Sequence, residues 1–114
     1  MTNIFSKNDL EILIATKNRD NLDFLALMFP FASFSNFNIL IINQSKDIIL
    51  SSEFETVRVI NVDEKGLSKS RNLAIKNASK KICIIADDDV VYFSNFDHEI
   101  ITAFNLNPQA SIIT

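Results

Sequence analysis

The sequence predicts an α/β fold in which helices cover both faces of a mainly parallel sheet. Three observations predict it: short apolar runs recur along the chain, helix-periodic segments separate them, and polar residues follow most of the runs. Runs that are apolar throughout are typical of strands buried on both faces, and their alternation with helices indicates parallel pairing. With 114 residues, 47% of them hydrophobic and 22% charged, the chain fits a single domain over residues 1–114.

The first half of the chain contains three predicted strands and one helix. The first strand is predicted at residues 10–15 (LEILIA). A helix capped by Asp20 or Asn21 follows, because apolar residues recur at helical spacing over 22–29, before Pro30. The second and third strands are predicted at residues 38–42 (NILII) and 57–62 (VRVINV).

The second half continues the alternation. Gly66, the only glycine, precedes a helix whose apolar face is predicted to carry Leu67, Ala74 and Ile75, together with Arg71 and Ala78. The fourth strand is predicted at 82–86 (ICIIA), and a last helix is capped by Ser94 or Asn95 and ends by Pro108. A fifth strand signal, ASIIT, occupies 110–114, so we expect a truncated sheet that is part of a longer protein.

Composition narrows the function classes. A net charge of −3 argues against a nucleic-acid partner, because such proteins usually carry a basic face. A single cysteine excludes an internal disulfide, and no apolar stretch approaches the ~20 residues of a membrane span. We therefore expect a cytoplasmic protein. Peripheral membrane association and assembly into a homo-oligomer stay open.

Polar residues cluster after the predicted strands. Thr16 and Arg19 follow the first strand, Asn43 follows the second, and three aspartates follow the fourth. In open parallel sheets, ligands bind beyond the carboxyl ends of the strands. The sequence therefore predicts a binding site at that edge.

The three aspartates, Asp87, Asp88 and Asp89, are the sharpest signal in the sequence. Like charges crowded against a buried strand repel one another, and a cation relieves that repulsion. In an extended segment residues i and i+2 point the same way, so Asp87 and Asp89 are predicted to face one cation. Carboxylate oxygens suit Mg²⁺ or Mn²⁺. The alternative is an exposed acidic turn.

The segment GLSKSRN, residues 66–72, is the second signal. A glycine turn leads into a helix start with free backbone N–H groups, and Ser68, Lys69 and Arg71 lie in the first turns. Such an arrangement suits a phosphate or another anion. The alternative is an ordinary helix start with a solvated basic face.

Three segments in this order resemble the N-terminal half of a family 2 glycosyltransferase. They are ILIATKNR (12–19), ILIINQS (39–45) and GLSKSRNLAIKNASKKICIIADDD (66–89). The resemblance implies the GT-A fold, a Rossmann-like three-layer sandwich. It also implies transfer of a sugar from a nucleoside-diphosphate sugar, of the UDP-sugar type, to a hydroxyl of a saccharide or lipid-linked acceptor. The 114-residue chain would be the donor-binding part.

The resemblance also implies roles for individual residues. Asp87 and Asp89 match the family's Asp-x-Asp motif, which binds the donor diphosphate through Mn²⁺ or Mg²⁺. The nucleotide-sugar site would further contain Thr16, Arg19, Asn43, Arg71 and Asp88. Asn43 stands where the family usually has an aspartate that contacts uracil. The catalytic base of the family lies beyond residue 114, so the catalytic residues are unknown and we expect the chain alone to be inactive.

Two other classes of protein are alternatives to the transferase. A nucleotidylyltransferase usually has a glycine-rich loop after its first strand, and ATKNRD (15–20) contains no glycine. A signalling receiver domain places an acidic pair there, where this chain has Thr16 and Lys17. A receiver-like or degenerate α/β domain kept for interactions is therefore the alternative hypothesis.

Overall fold

The computed structural model describes residues 5–63 and 66–107, which form a four-stranded sheet in which every pair of strands is parallel. The strands are β1 (Leu10–Lys17), β2 (Asn38–Gln44), β3 (Val57–Val62) and β4 (Ile82–Asp87). Their order across the sheet is β3-β2-β1-β4, so β1 lies in the interior and is paired on both edges. The prediction of a parallel α/β sheet is confirmed.

Helices cover the two faces of the sheet. They are α1 (Asp23–Met28), α2 (Leu67–Asn77) and α3 (Phe96–Leu106), with short 3-10 turns at Lys7–Asp9 and Phe34–Asn36. One face packs against α1 and α3 through a core that includes Ile12, Ile14 and Phe29. The other face packs against α2 through Leu13, Leu40, Ile42 and Ala74. The architecture is the three-layer sandwich that the resemblance implied.

Most predicted boundaries agree with the structure, but three strands run further at their carboxyl ends. The pairing of Thr16 with Asn43 and of Ala15 with Asp87 continues the hydrogen-bonded ladder into the polar residues. The helix α3 begins after Asn95, which has φ of 70° and makes no side-chain cap bond. The predicted strand at 110–114 lies outside the described residues.

The predicted apolar face of α2 was partly wrong. Leu67 and Ile75 are 47% and 54% exposed, whereas Ser70 and Ala74 are buried. The reason is the position of the helix, which packs over β1 and β2 rather than over β4. On the same face of the sheet, Ile85 of β4 is 46% exposed.

An ion pair with one buried partner joins elements at the amino-terminal end of the sheet. Glu11, which is 2% exposed, accepts a hydrogen bond of 2.8 Å from Arg58 of β3 and another of 2.8 Å from the backbone N–H of Ser79. Arg58 also donates to the carbonyl oxygen of Asn77, at the end of α2. This cluster therefore ties β1, β3 and α2 together.

Within the described ranges, no helix is long and apolar enough to cross a membrane.

Candidate donor-binding site

The topology marks one place in the sheet as a binding crevice. The chain runs from β1 outward through β2 to β3, and then returns to place β4 on the other side of β1. The strand order therefore reverses between β1 and β4, and open α/β sheets bind ligands beyond the carboxyl ends of the strands at such a point. Thr16 and Asp87 lie near those ends.

Two cavities meet at this point. The first has a volume of about 410 Å³, and we call it the donor cavity after the ligand that the sequence resemblance implies. Its lining residues are Ala15, Thr16, Lys17, Gln44, Leu67, Asp87, Asp88 and Asp89. The second, the helix cavity, has a volume of about 490 Å³ and lies between α1 and the segment after β4. Asp88 and Asp89 line both cavities, so the end of the aspartate triplet forms part of the wall between them.

Asp88 is tied to the turn that follows β1. Its Oδ2 accepts a hydrogen bond of 2.6 Å from the hydroxyl of Thr16 and one of 3.0 Å from Nη2 of Arg19. Nε of Arg19 in turn donates to the hydroxyl oxygen of Thr16 at 3.1 Å, which closes a ring of three side chains. Partial burial alone raises the pKa of Asp88, but the two hydrogen bonds and the charge of Arg19 outweigh it and lower the pKa.

The other two aspartates are much less constrained. Oδ1 of Asp87 lies 3.4 Å from Nη2 of Arg71, and both side chains are about half exposed, so this ion pair is weak. Nε of Arg71 is buried and has no hydrogen-bond partner among the described residues. Asp89 forms no hydrogen bond or ion pair with any residue of the described ranges. The carboxylates of Asp87 and Asp89 therefore remain largely available at the donor cavity.

Asn43 is enclosed by hydrogen-bond partners inside the protein. It is fully buried, and its Oδ1 accepts a hydrogen bond of 3.1 Å from the backbone N–H of Arg19. Its Nδ2 donates to the carbonyl oxygen of Arg19 and to Oδ1 of Asn61, both at 3.1 Å. Sequence reasoning missed Asn61. Its signal is a polar residue that alternates with Val57 and Val59 on one face of β3.

Gln44 is a second residue that sequence reasoning missed. It alternates with Leu40 and Ile42 toward α2, and its Nε2 donates to the carbonyl oxygen of Gly66 at 2.7 Å and to the hydroxyl of Ser70. These bonds fasten the start of α2 beside the donor cavity. Its signal is again its position in a strand, because β2 runs to Gln44 whereas the predicted strand ends at residue 42.

The described residues contain no group of three or more His, Cys, Asp or Glu side chains arranged to hold a metal ion. A metal site that uses only two protein carboxylates would not form a group of three. Mg²⁺ characteristically takes one or two protein carboxylates and completes its shell with water and substrate phosphate. Asp87 and Asp89 are the residues that have this chemistry at the donor cavity.

A comparison with models of protein families shows which family the chain belongs to. The model for Glycosyl transferase family 2 matches residues 11–114, which is nearly the whole chain. The chain belongs to Glycosyl transferase family 2. No match was found among curated proteins or among solved structures.

Membership of Glycosyl transferase family 2 confirms the resemblance found in the sequence, and it supports sugar-transfer chemistry in general. The matched region contains all of the residues suspected of forming the site. The structure brings Thr16, Arg19 and Asp88 into direct contact and places the backbone of Arg19 against Asn43. Arg71 reaches the same end of the sheet through Asp87.

Proposed function

We propose that this chain binds a nucleoside-diphosphate sugar in the donor cavity and is the donor-binding part of a glycosyltransferase. One observation carries the proposal: a cavity of about 410 Å³ lies where the strand order reverses and contains three carboxylates. Membership of a glycosyl transferase family makes an activated sugar the expected ligand of that cavity. The proposal includes a divalent cation, which carboxylates at this cavity would hold.

The available carboxylates fit a magnesium or manganese ion. Asp88 is already engaged by Thr16 and Arg19, whereas Asp89 has no ion-pair partner among the described residues and Asp87 has only a weak one. We therefore assign Asp87 and Asp89 as the ligands and leave the other positions to phosphate oxygens and water. When bound, the cation would act as a Lewis acid that stabilises negative charge on the departing nucleoside diphosphate.

The start of α2 supplies the second feature that favours a phosphate. Gly66 has φ of +112° and no side chain caps the helix start, so the first N–H groups of the helix are not satisfied by a capping side chain. Leu67, the first residue of α2, lines the donor cavity together with Lys17. Backbone N–H groups at a helix N-terminus attract phosphate, and a nearby ammonium group adds to that attraction.

The proposal stops at donor binding and leaving-group stabilisation. The acceptor would be a hydroxyl group of a saccharide or of a lipid-linked sugar, and a carboxylate base is expected to deprotonate it. We assign no residue of this chain as that base. The purified 114-residue chain is therefore expected to bind donor without transferring sugar, and detection of transfer would contradict this part of the proposal.

Isothermal titration calorimetry tests the proposal directly. UDP is titrated into the chain with Mn²⁺ and, separately, with EDTA, and the titrations are repeated with Asp89→Asn. We expect binding that requires the metal, and we expect the substitution to weaken it by at least about tenfold, because it removes one charged metal ligand. GDP serves as a second ligand, since the nucleotide base is not assumed.

Glu53→Gln is the matched control. Glu53 is an exposed carboxylate that forms no ion pair with any described residue, so its removal changes net charge by the same amount without touching the cavity. Equal weakening by both variants would attribute the effect to general charge. If the folded wild-type chain binds neither nucleotide, the donor-binding proposal fails and a degenerate domain kept for interactions becomes the better hypothesis.

A further inference from the structure

A chain of amide hydrogen bonds runs across the carboxyl ends of three strands. The amide of Asn43 forms hydrogen bonds with both the backbone N–H and the carbonyl oxygen of Arg19. Its Nδ2 also donates to Oδ1 of Asn61. Asn61 makes the same two-point contact with Leu50, donating to its carbonyl oxygen at 2.8 Å and accepting from its N–H at 2.9 Å. Both hydrogens of the Asn43 amide are thus used within the protein, and the side chain has no exposed surface.

The side chain of Arg19 is also held, by two hydrogen-bond partners and an aromatic ring. Nε and Nη2 donate to Thr16 and Asp88, and the guanidinium lies over the ring of Phe24, 4.5 Å from its centroid. Arg19 lines the helix cavity, while its partners Thr16 and Asp88 line the donor cavity. The guanidinium therefore belongs to the wall between the two cavities, and a donor whose anionic part extended past Asp88 would meet it.

The chemistry of position 43 requires an amide. Two acceptors, the carbonyl oxygen of Arg19 and Oδ1 of Asn61, face Nδ2 of Asn43. A carboxylate there would offer them no proton and would bring a negative charge to a fully buried position. Asn43 is thus suited to hold the Arg19 turn, and because its side chain has no exposed surface, a nucleotide base cannot reach it.

We propose that Asn43 is a positioning residue that, together with Asn61, fixes Arg19 for contact with the anionic part of the donor, and that Asn43 does not contact the nucleotide base. This inference rests on the proposed donor site. It has a consequence that base contact would not have: substitution of Asn43 should weaken every diphosphate ligand by the same factor, whatever its base.

The test compares three ligands, which are UDP, GDP and inorganic pyrophosphate, each titrated with Mg²⁺. For Asn43→Asp we expect the same loss of affinity for all three, on the order of tenfold, the equivalent of one well-placed hydrogen bond. In an Arg19→Ala background the same substitution should change affinity less than twofold. A loss confined to UDP, or an undiminished loss in the Arg19→Ala background, would overturn the proposal.

A ligand-free measurement separates this proposal from the donor-binding one. Asn61→Ala keeps Asn43 but removes the hydrogen bond between the two side chains. Asn43 Oδ1, the acceptor of the Arg19 N–H, is then poorly held. NMR hydrogen exchange should therefore show protection of the Arg19 N–H falling at least about tenfold. The N–H of Leu13, in the core of β1, is the internal control and should not change. If wild type binds none of the three ligands, the donor site is wrong, and exchange still decides whether the amide chain positions Arg19. Unchanged protection at Arg19 would overturn the positioning role.

Discussion

Asp88 and Arg19 form the ion pair that joins the end of β4 to the turn after β1. Oδ2 of Asp88 lies 3.0 Å from Nη2 of Arg19, and the two side chains are 31% and 38% exposed. Thr16 adds a hydroxyl hydrogen bond to the same oxygen. Oδ2 of the middle aspartate is thus held by two side chains, whereas its neighbours Asp87 and Asp89 are less constrained at the donor cavity.

The Asp88–Arg19 pair should contribute stability that depends on pH. The pKa of Asp88 is lowered in the folded state, so its contribution is present above the unfolded-state pKa of about 3.9 and is lost as the pH falls through the folded-state value. We expect Asp88→Asn to lower the free energy of unfolding by about 0.5–1 kcal/mol at pH 7, a modest amount because both side chains are partly exposed.

Urea unfolding of wild type and Asp88→Asn between pH 2 and pH 7 measures this difference. The difference in unfolding free energy should shrink as the pH falls below about 4, because Asp88 of wild type then becomes neutral, as asparagine is. Asp89→Asn is the matched control, since Asp89 has no ion-pair partner among the described residues. A difference that stays constant across the range would contradict the ion-pair explanation.

The Glu11–Arg58 pair lies at the opposite end of the sheet and should affect stability alone. Removing the cation leaves a carboxylate that is 2% exposed, so we expect Arg58→Leu to cost about 2–3 kcal/mol, less than for a pair in which both partners are buried. The double variant Glu11→Leu/Arg58→Leu should be more stable than Arg58→Leu, because it removes the buried charge as well.

Denaturant midpoints of Arg58→Leu, of Glu11→Leu and of the double variant measure these costs. Nucleotide affinity, measured on the same samples, should equal that of wild type because the pair is remote from the donor cavity. If the double variant lost as much stability as the two single variants combined, the two side chains would not be coupled. A change in affinity would show that the amino-terminal end of the sheet reaches the site.

The sequence predicted the layers of this fold because the two central strands, β1 and β2, are buried on both faces along most of their length and are therefore apolar. It also placed the polar residues at one edge, since parallel strands must all end there. It could not show what Asn43 bonds to, because that depends on the register that sets Asn43 opposite Asn61. A one-residue slip would turn both amides to the other face of the sheet.

The buried face of α2 was predicted only in part, for a related reason. Periodicity identifies which residues share one side of a helix, but it does not say which strands lie beneath them. The helix packs over β1 and β2, so Ala74 is buried while Leu67 and Ile75, at the margins of the same stripe, are half exposed. Side-chain positions thus depended on packing between elements, which local sequence does not encode.

Tyr92 connects the segment after the aspartate triplet to the aromatic core. Its ring stacks on Phe29 at 5.2 Å between centroids and lies 4.3 Å from that of Phe96, while its backbone N–H donates to the carbonyl oxygen of Met28 at 2.8 Å. Burial raises the pKa of Tyr92 to about 12. Packing of this ring holds the segment beyond the triplet against α1.

The ionisation of Tyr92 therefore reports on that packing. The chain has one tyrosine and no tryptophan, so tyrosinate absorbance follows a single group. Titration of the folded chain should give a midpoint near pH 12, against about 10 in denaturant. Because the folded-state pKa is raised, the stability linked to the neutral phenol is complete below about pH 10 and is lost as the pH rises toward 12.

Phe96→Leu tests the cause of the shift. It removes one of the rings around Tyr92, admits water to the phenol and should bring the midpoint closer to 10 without unfolding the chain, since leucine keeps part of the buried apolar surface. Tyr92→Phe should abolish the transition and identifies its source. A folded wild-type chain that titrates near 10 would mean that the segment after the triplet is not packed on α1, and the wall between the two cavities would then lack its support.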